Sequence, residues 1–78
     1  MNQELPLSQL PLGQSATVKQ ILTSGSIRRR LQDLGIISGT RIECALKSPA
    51  GDPMAYRIRG ALIALRKKDS DQIIMTFR

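Results

Sequence analysis

A chain of 78 residues is long enough for one domain, 1–78, and one of this size buries roughly 60% of the surface its unfolded form exposes. Hydrophobic residues make up 41% and aromatics only 3%, so the core is thin and aliphatic, and the balance excludes a disordered chain. Twelve Lys and Arg against six Asp and Glu give a net charge of +6, histidine is absent, and the single cysteine, Cys44, excludes an internal disulfide.

The amino-terminal stretch "MNQELPLSQLPLGQ" has no basic leader region and no continuous apolar run, and no later segment nears the roughly 20 apolar residues that span a bilayer. With no disulfide to form, the expected setting is the cytoplasm, without membrane insertion. Pro6 and Pro11 bracket a turn that carries Leu7 and Leu10. "SATVKQIL", Ser15 to Leu22, reads as a strand with Ala16 and Val18 on one face. Ile21 breaks that parity, so a bulge is expected near Lys19 or Gln20.

"SIRRRLQDLG" is the strongest helix signal. Ile27, Leu31 and Leu34 recur at i, i+4 and i+7, Ser24 or Ser26 can cap its start, and Gly35 stands where a left-handed cap ends a helix. "IISGT" turns the chain, with Gly39 free to take positive φ. In "TRIECALK", Ile42, Cys44 and Leu46 face one way and Arg41, Glu43 and Lys47 the other.

The prolines, glycine and aspartate of "SPAGDPM" form a stiff loop, and Pro53 starts the next strand without a ladder N–H. Met54, Tyr56 and Ile58 then alternate with Arg57 and Arg59, and Gly60 marks a bend. "ALIALR" and "QIIMTF" are expected to pair as an antiparallel hairpin around a polar turn, "KKDSD". That pairing sets Ile63 opposite Met75 and Leu65 opposite Ile73 in the core, and leaves Leu62 diagonal to Ile74 outside. About five short strands with Gly and Pro turns and one small inserted helix predict a mostly-β small barrel, whose closure removes exposed edges.

Little in the chain points to catalysis. A lone cysteine builds no zinc or iron–sulfur site, and the parity of Cys44 places it in the core. Asp69 and Asp71 flank Ser70 in a turn, where solvation explains them better than a cation does, so no metal site is assigned and no cofactor is expected. "GIISGT" is too short for a phosphate loop, and no nucleophile, base and orienting group stand together, so the chain does not read as an enzyme. Arg28, Arg29 and Arg30 spread over roughly 200° of a helix and cannot converge on one ligand. A small nucleic-acid-binding barrel is the alternative reading of the charge, but only Tyr56 and Phe77 are available to stack on bases, and Tyr56 has core parity.

The segments "RRRLQDLGIISGTRIE", "SPAGDPMAYRIRG" and "ALIALRKKDSDQIIM" together resemble the FeoA family, the ferrous iron transport protein A domain. The resemblance rests on Arg29-Arg30-Leu31, Leu34-Gly35, Gly39-Thr40, Gly51-Asp52-Pro53 and Ile63-Ala64-Leu65-Arg66, and on Leu7, Leu10, Gly13 and Val18 before them. It covers nearly the whole chain, and the order and spacing of the motifs carry it more than any one of them. The sequence departs from the family pattern in two places: Ser70 stands where alanine is common, and Ala61-Leu62 where an aromatic and a polar residue are usual. The resemblance implies an SH3-like barrel with an inserted helix. It also implies a cytoplasmic accessory of the FeoB membrane transporter for ferrous iron, acting as a protein-interaction module. Self-association stays open. Leu62 and Ile74, as exposed aliphatics on a thin barrel, and Arg57 and Arg59, as a basic strand face, are the candidate partner-binding residues. The competing expectation for Leu62 and Ile74 is that Leu5, Leu7 or Leu10 folds over them.

Overall fold

The computed structural model describes residues 3–77. Six strands form: β1 (Gln3–Pro6), β2 (Ser15–Ile21), β3 (Arg41–Lys47), β4 (Met54–Ile58), β5 (Ala61–Leu65) and β6 (Ile73–Phe77). A 3₁₀ turn, Leu7–Gln9, follows β1, helix α1 (Gly25–Asp33) joins β2 to β3, and the single helical turn α2 (Lys67–Ser70) joins β5 to β6. The strands make one antiparallel sheet in the order β1-β6-β2-β3-β4-β5 around a single aliphatic core. The sheet does not close on itself by hydrogen bonds, contrary to the edge-free barrel expected: β1 and β5 remain its two edges. β1 is an addition to the strands the sequence predicts. It is four residues long and ends in Pro6, so it carries almost no local signal.

Strand parity decides what is buried. Ala16 and Val18 of β2 point inward, and the β2–β6 register shifts between Val18 and Gln20, which returns Ile21 to the core as the broken parity predicts. In β3 and β4, Ile42 faces Ile58 and Cys44 faces Tyr56, all four buried. The register then shifts between Cys44 and Leu46, and this irregularity turns Leu46 outward, 56% exposed, instead of keeping it on the face of Ile42 and Cys44.

Burial pushes the Cys44 thiol above the ordinary thiol range, and the Glu43 carboxylate adds to the effect. Cys44 should therefore react with an aromatic disulfide reagent only as fast as the domain unfolds. Full modification within seconds in native buffer would show that the thiol is open to solvent.

Helix α1 is held by its ends as much as by its face. Ser24 occupies the N-cap position without a side-chain bond to the helix. At the other end Gly35 adopts φ 91°, its N–H bonds to the carbonyl of Gln32 at 2.9 Å, and the Ile36 N–H bonds to that of Leu31 at 3.0 Å. These two bonds are the Schellman pattern, and the aliphatic pair that accompanies it, Leu31 and Ile36, is fully buried. The expected apolar stripe is narrower than its spacing implies: Leu31 is buried, while Ile27 and Leu34 are exposed. A helix of about two and a half turns lying against a small sheet has only one turn deep enough to reach the core.

The expected β5–β6 hairpin does not form. β5 pairs with β4 alone, and β6 lies between β1 and β2, so Ile63 does not oppose Met75, nor Leu65 Ile73. The inward parity nonetheless holds, with Leu65, Ile73 and Met75 buried and Ile63 packed against them. The cause is the connection. "KKDSD" is not a solvated turn but a helical one, with Asp69 and Ser70 buried. The Asp52 carboxylate accepts the Lys67 N–H at 2.9 Å, Arg30 of α1 reaches Asp69 at 3.4 Å, and the Ser8 hydroxyl donates to Asp71. These tethers carry the chain away from β5 before β6 begins. They also give the proline loop its role. Gly51 closes a turn onto the Ser48 carbonyl at 2.9 Å, and Asp52, which follows it, docks α2 through its carboxylate.

Candidate partner-binding face

The outer side of the sheet is written by the same parity. Because Ile42, Cys44, Tyr56 and Ile58 point inward, Arg41, Glu43 and Arg57 must point out. Register then aligns Ser15, Glu43, Arg57 and Leu62 as one row across β2, β3, β4 and β5. Within the row the Arg57 Nε lies 3.5 Å from a Glu43 carboxylate oxygen. Both side chains are about half exposed, so the pair contributes about 0–1 kcal/mol.

Arg59 is placed by the tight turn between β4 and β5. Arg59 and Gly60 both have positive φ, 51° and 84°, the mirror-image geometry that joins twisted strands with two residues. An arginine is an uncommon choice there, because a side chain disfavours that conformation. Its stem crosses Gly35, where an added Cβ would stand 2.6 Å from the Arg59 Cδ. Gly35 therefore ends α1 and also makes room for Arg59.

Arg41, Arg57, Arg59 and Glu43 line a shallow recess of about 460 Å³ together with Ser15 and Thr40. Thr40 fixes its wall: the hydroxyl donates to the Gly35 carbonyl at 3.0 Å and accepts the Ile37 N–H at 3.2 Å. Of the three guanidiniums only that of Arg57 is paired, with Glu43, and among the described residues neither Arg41 nor Arg59 has an acidic side chain within ion-pair distance. Planar guanidiniums with free donors bind carboxylates in two-point fashion, so the face fits acidic side chains of another protein.

The structure brings Arg57, Arg59 and Leu62 together and sets Ile74 apart. Ile74 faces Pro6 and Gln20 on β6, half-buried, and β2, β3 and β4 lie between it and β5 in the hydrogen-bonded order. Leu62 is 51% exposed, and Leu7 and Leu10 are buried in the core and do not cover it. Arg41 belongs to the face although sequence reading does not single it out. Its outward parity is legible, but its place beside Arg59 needs the β3–β4 register. The helical arginines diverge as expected: Arg28 donates to the Ile21 carbonyl at 2.9 Å, and Arg30 turns to Asp69. Tyr56 is buried, so the basic face has no tyrosine platform for stacking bases.

Leu62→Glu should leave the melting temperature within a few degrees of the parent, since an exposed substitution changes stability by about 0.5 kcal/mol or less. A fall of more than about 10 °C in a thermal melt would mean that Leu62 is covered, because a buried unpaired charge is costly.

Comparison with known proteins bears on the fold and the family. A family model described as FeoA domain matches residues 5–76. The Fe(2+) transport protein A/Fe(2+) transporter FeoB fusion protein of Porphyromonas gingivalis is 31% identical over 67 residues, 86% of this chain, and the chain spans 8% of that protein's length. The FeoA-like protein from Clostridium acetobutylicum superposes with a TM-score of 0.86 at 32% identity, covering 99% of this chain and 88% of that one. Stenotrophomonas maltophilia FeoA complexed with zinc, an SH3 domain protein, superposes at 0.81 with 28% identity, covering 95% and 96%. The fold is SH3-like, and with the family model matched over nearly its full length the chain belongs to the FeoA domain family.

Proposed function

We propose that this chain is a cytoplasmic accessory of ferrous iron uptake that acts as a single-domain interaction module on the FeoB membrane transporter. The observation that carries the reading is the Porphyromonas gingivalis relative, in which a segment similar to this chain is joined covalently to FeoB. A junction of that kind keeps two partners at high effective concentration, and contact between them still needs a binding surface. The Arg41–Arg57–Arg59 face with Leu62 at its rim supplies such a surface. A cytoplasmic module agrees with the described residues, where no helix is long and apolar enough to cross a membrane. The chain works by binding and not by turnover. Among the described residues no group of three His, Cys, Asp or Glu side chains could hold a metal ion.

Affinity capture from detergent-solubilised membranes tests the proposal. The tagged chain should retain FeoB at low salt and lose it as salt rises, because the contact is between exposed charges. Eluates that lack FeoB at low salt would refute it.

A further inference from the structure

β5 is an edge strand whose own residues carry none of the usual protection. Among the described residues it pairs with β4 on one side and with no strand on the other. In a two-residue hairpin the residues flanking the turn exchange both main-chain hydrogen bonds. Ile58 and Ala61 are those residues, so Ala61, Ile63 and Leu65 bond toward β4. The N–H and C=O groups of Leu62 and Ala64 then point to the open side, and among the described residues no main-chain group outside the sheet bonds to them. Proteins blunt such edges with charge, proline, a bulge or a cover. The strand reads "ALIAL", uncharged and without proline, its register with β4 is unbroken, and Ala61, Leu62 and Ala64 are exposed.

What surrounds the edge selects its occupant. A groove of about 530 Å³ beside it is lined by Ala64, by Ile27 and Arg30 of α1, and by Arg66 and Lys68. Asp69 is the groove's acidic residue, but it is buried and already paired with Arg30. Arg57 and Arg59 stand at the other end of the strand. Two copies pairing edge to edge in antiparallel fashion would set these cations against each other, and like charges brought together are costly. A strand of opposite charge gains where a second copy loses.

We propose that the free edge of β5 takes up an extended acidic segment of a partner polypeptide as an added strand. Its main chain bonds to Leu62 and Ala64, and its carboxylates meet Arg30, Arg66 and Lys68. Strand addition of this kind derives affinity from main-chain bonds and selectivity from alternate side chains. The inference does not depend on the transporter being the partner.

A fluorescein-labelled peptide of about eight alternating Glu and Val residues, titrated with the full chain at about 20 mM salt, tests it by anisotropy. Saturable binding is expected, weakening about tenfold or more by about 200 mM salt, with slowed amide exchange at Leu62 and Ala64. Methylating alternate peptide nitrogens, in the phase that faces β5, should weaken binding about tenfold through loss of two main-chain bonds. This version of the test leaves the protein unaltered. Ala64→Pro, which removes only an outward N–H, should do the same. The proposal is overturned if the peptide does not bind at low salt, or if both methylation phases bind as well as the parent. It is equally overturned if a control peptide of the same length, with Lys in place of each Glu, or a single-stranded oligonucleotide binds as tightly and protects the same amides. Sedimentation showing a dimer with those amides protected would assign the edge to a second copy instead.

Discussion

Leu31→Ala is expected to destabilise the domain by about 3 kcal/mol, within the range of about 2–5 measured for large-to-small changes at buried leucines. Leu31 is 0% exposed and is the one buried residue of α1, so the helix has no second anchor to share the loss. The substitution also removes half of the Leu31–Ile36 pair that seals the helix end. A small domain of this length has about 4–12 kcal/mol in all, so the loss is a large fraction of the total. Each kcal/mol lowers the melting temperature by about 4–8 °C for a chain of this size, so a fall of about 12–24 °C should appear in a thermal scan. Ile27→Ala, one turn earlier on an exposed position, should change it by only a few degrees. If the two variants melt together, α1 does not pack as described.

Gly35→Val is the second large effect, and its cause is the backbone. Gly35 sits at φ 91°, where a side chain is strained and a branched one most of all. The new side chain also meets the Arg59 stem, which can swing aside. The expected loss is about 2 kcal/mol, or about 8–16 °C in melting temperature. Gly35→Val placed on an Arg59→Ala background separates the two causes. The loss should persist there, since the strain lies in φ and not in the collision. Restoration to the Arg59→Ala value would make contact with the arginine the dominant cause.

The two variants mark what could be read from the chain. The helix end at Gly35, the bulge beside Lys19 and the inward parity of Ile42, Cys44, Tyr56 and Ile58 were legible because each is a local event, set by one residue's conformational freedom or by alternation over a few positions. Leu46 was not legible, since a register shift in β3 is dictated by the partner strand and leaves no mark in "TRIECALK". The pairing of β6 with β2 was missed for the same kind of reason. Adjacent strands form hairpins by default, and here the helical turn Lys67–Ser70 redirects the chain through tethers to Asp52, Arg30 and Ser8 that are far away in sequence. That miss split the candidate site. Arg57 lies where strand alternation puts it, Arg59 stands in the turn just past the strand and not on its face, and Leu62 joins them, whereas Ile74 is paired with Leu62 only through a hairpin that does not form.

Arg59 links fold and face. A non-glycine residue with φ 51° in a two-residue turn carries strain of about 1 kcal/mol, and asparagine or glycine would relieve it. That conformation sets the guanidinium outside, in the recess that Arg41, Arg57 and Glu43 also line, where only Arg57 is paired with the carboxylate.

Binding of the purified chain to FeoB reconstituted in lipid nanodiscs, measured at equilibrium against a double charge reversal, tests the account most directly. Arg57→Glu with Arg59→Glu should weaken binding about tenfold or more, as loss of charge-assisted contacts at an interface does. The control pair, Arg29→Glu with Lys47→Glu, makes the same change in net charge away from the face, since Arg29 lines a recess on α1 and Lys47 one beside Leu10 and Tyr56, and should bind nearly as the parent does. The parent failing to bind at low salt, or both double variants losing affinity equally, would contradict the account.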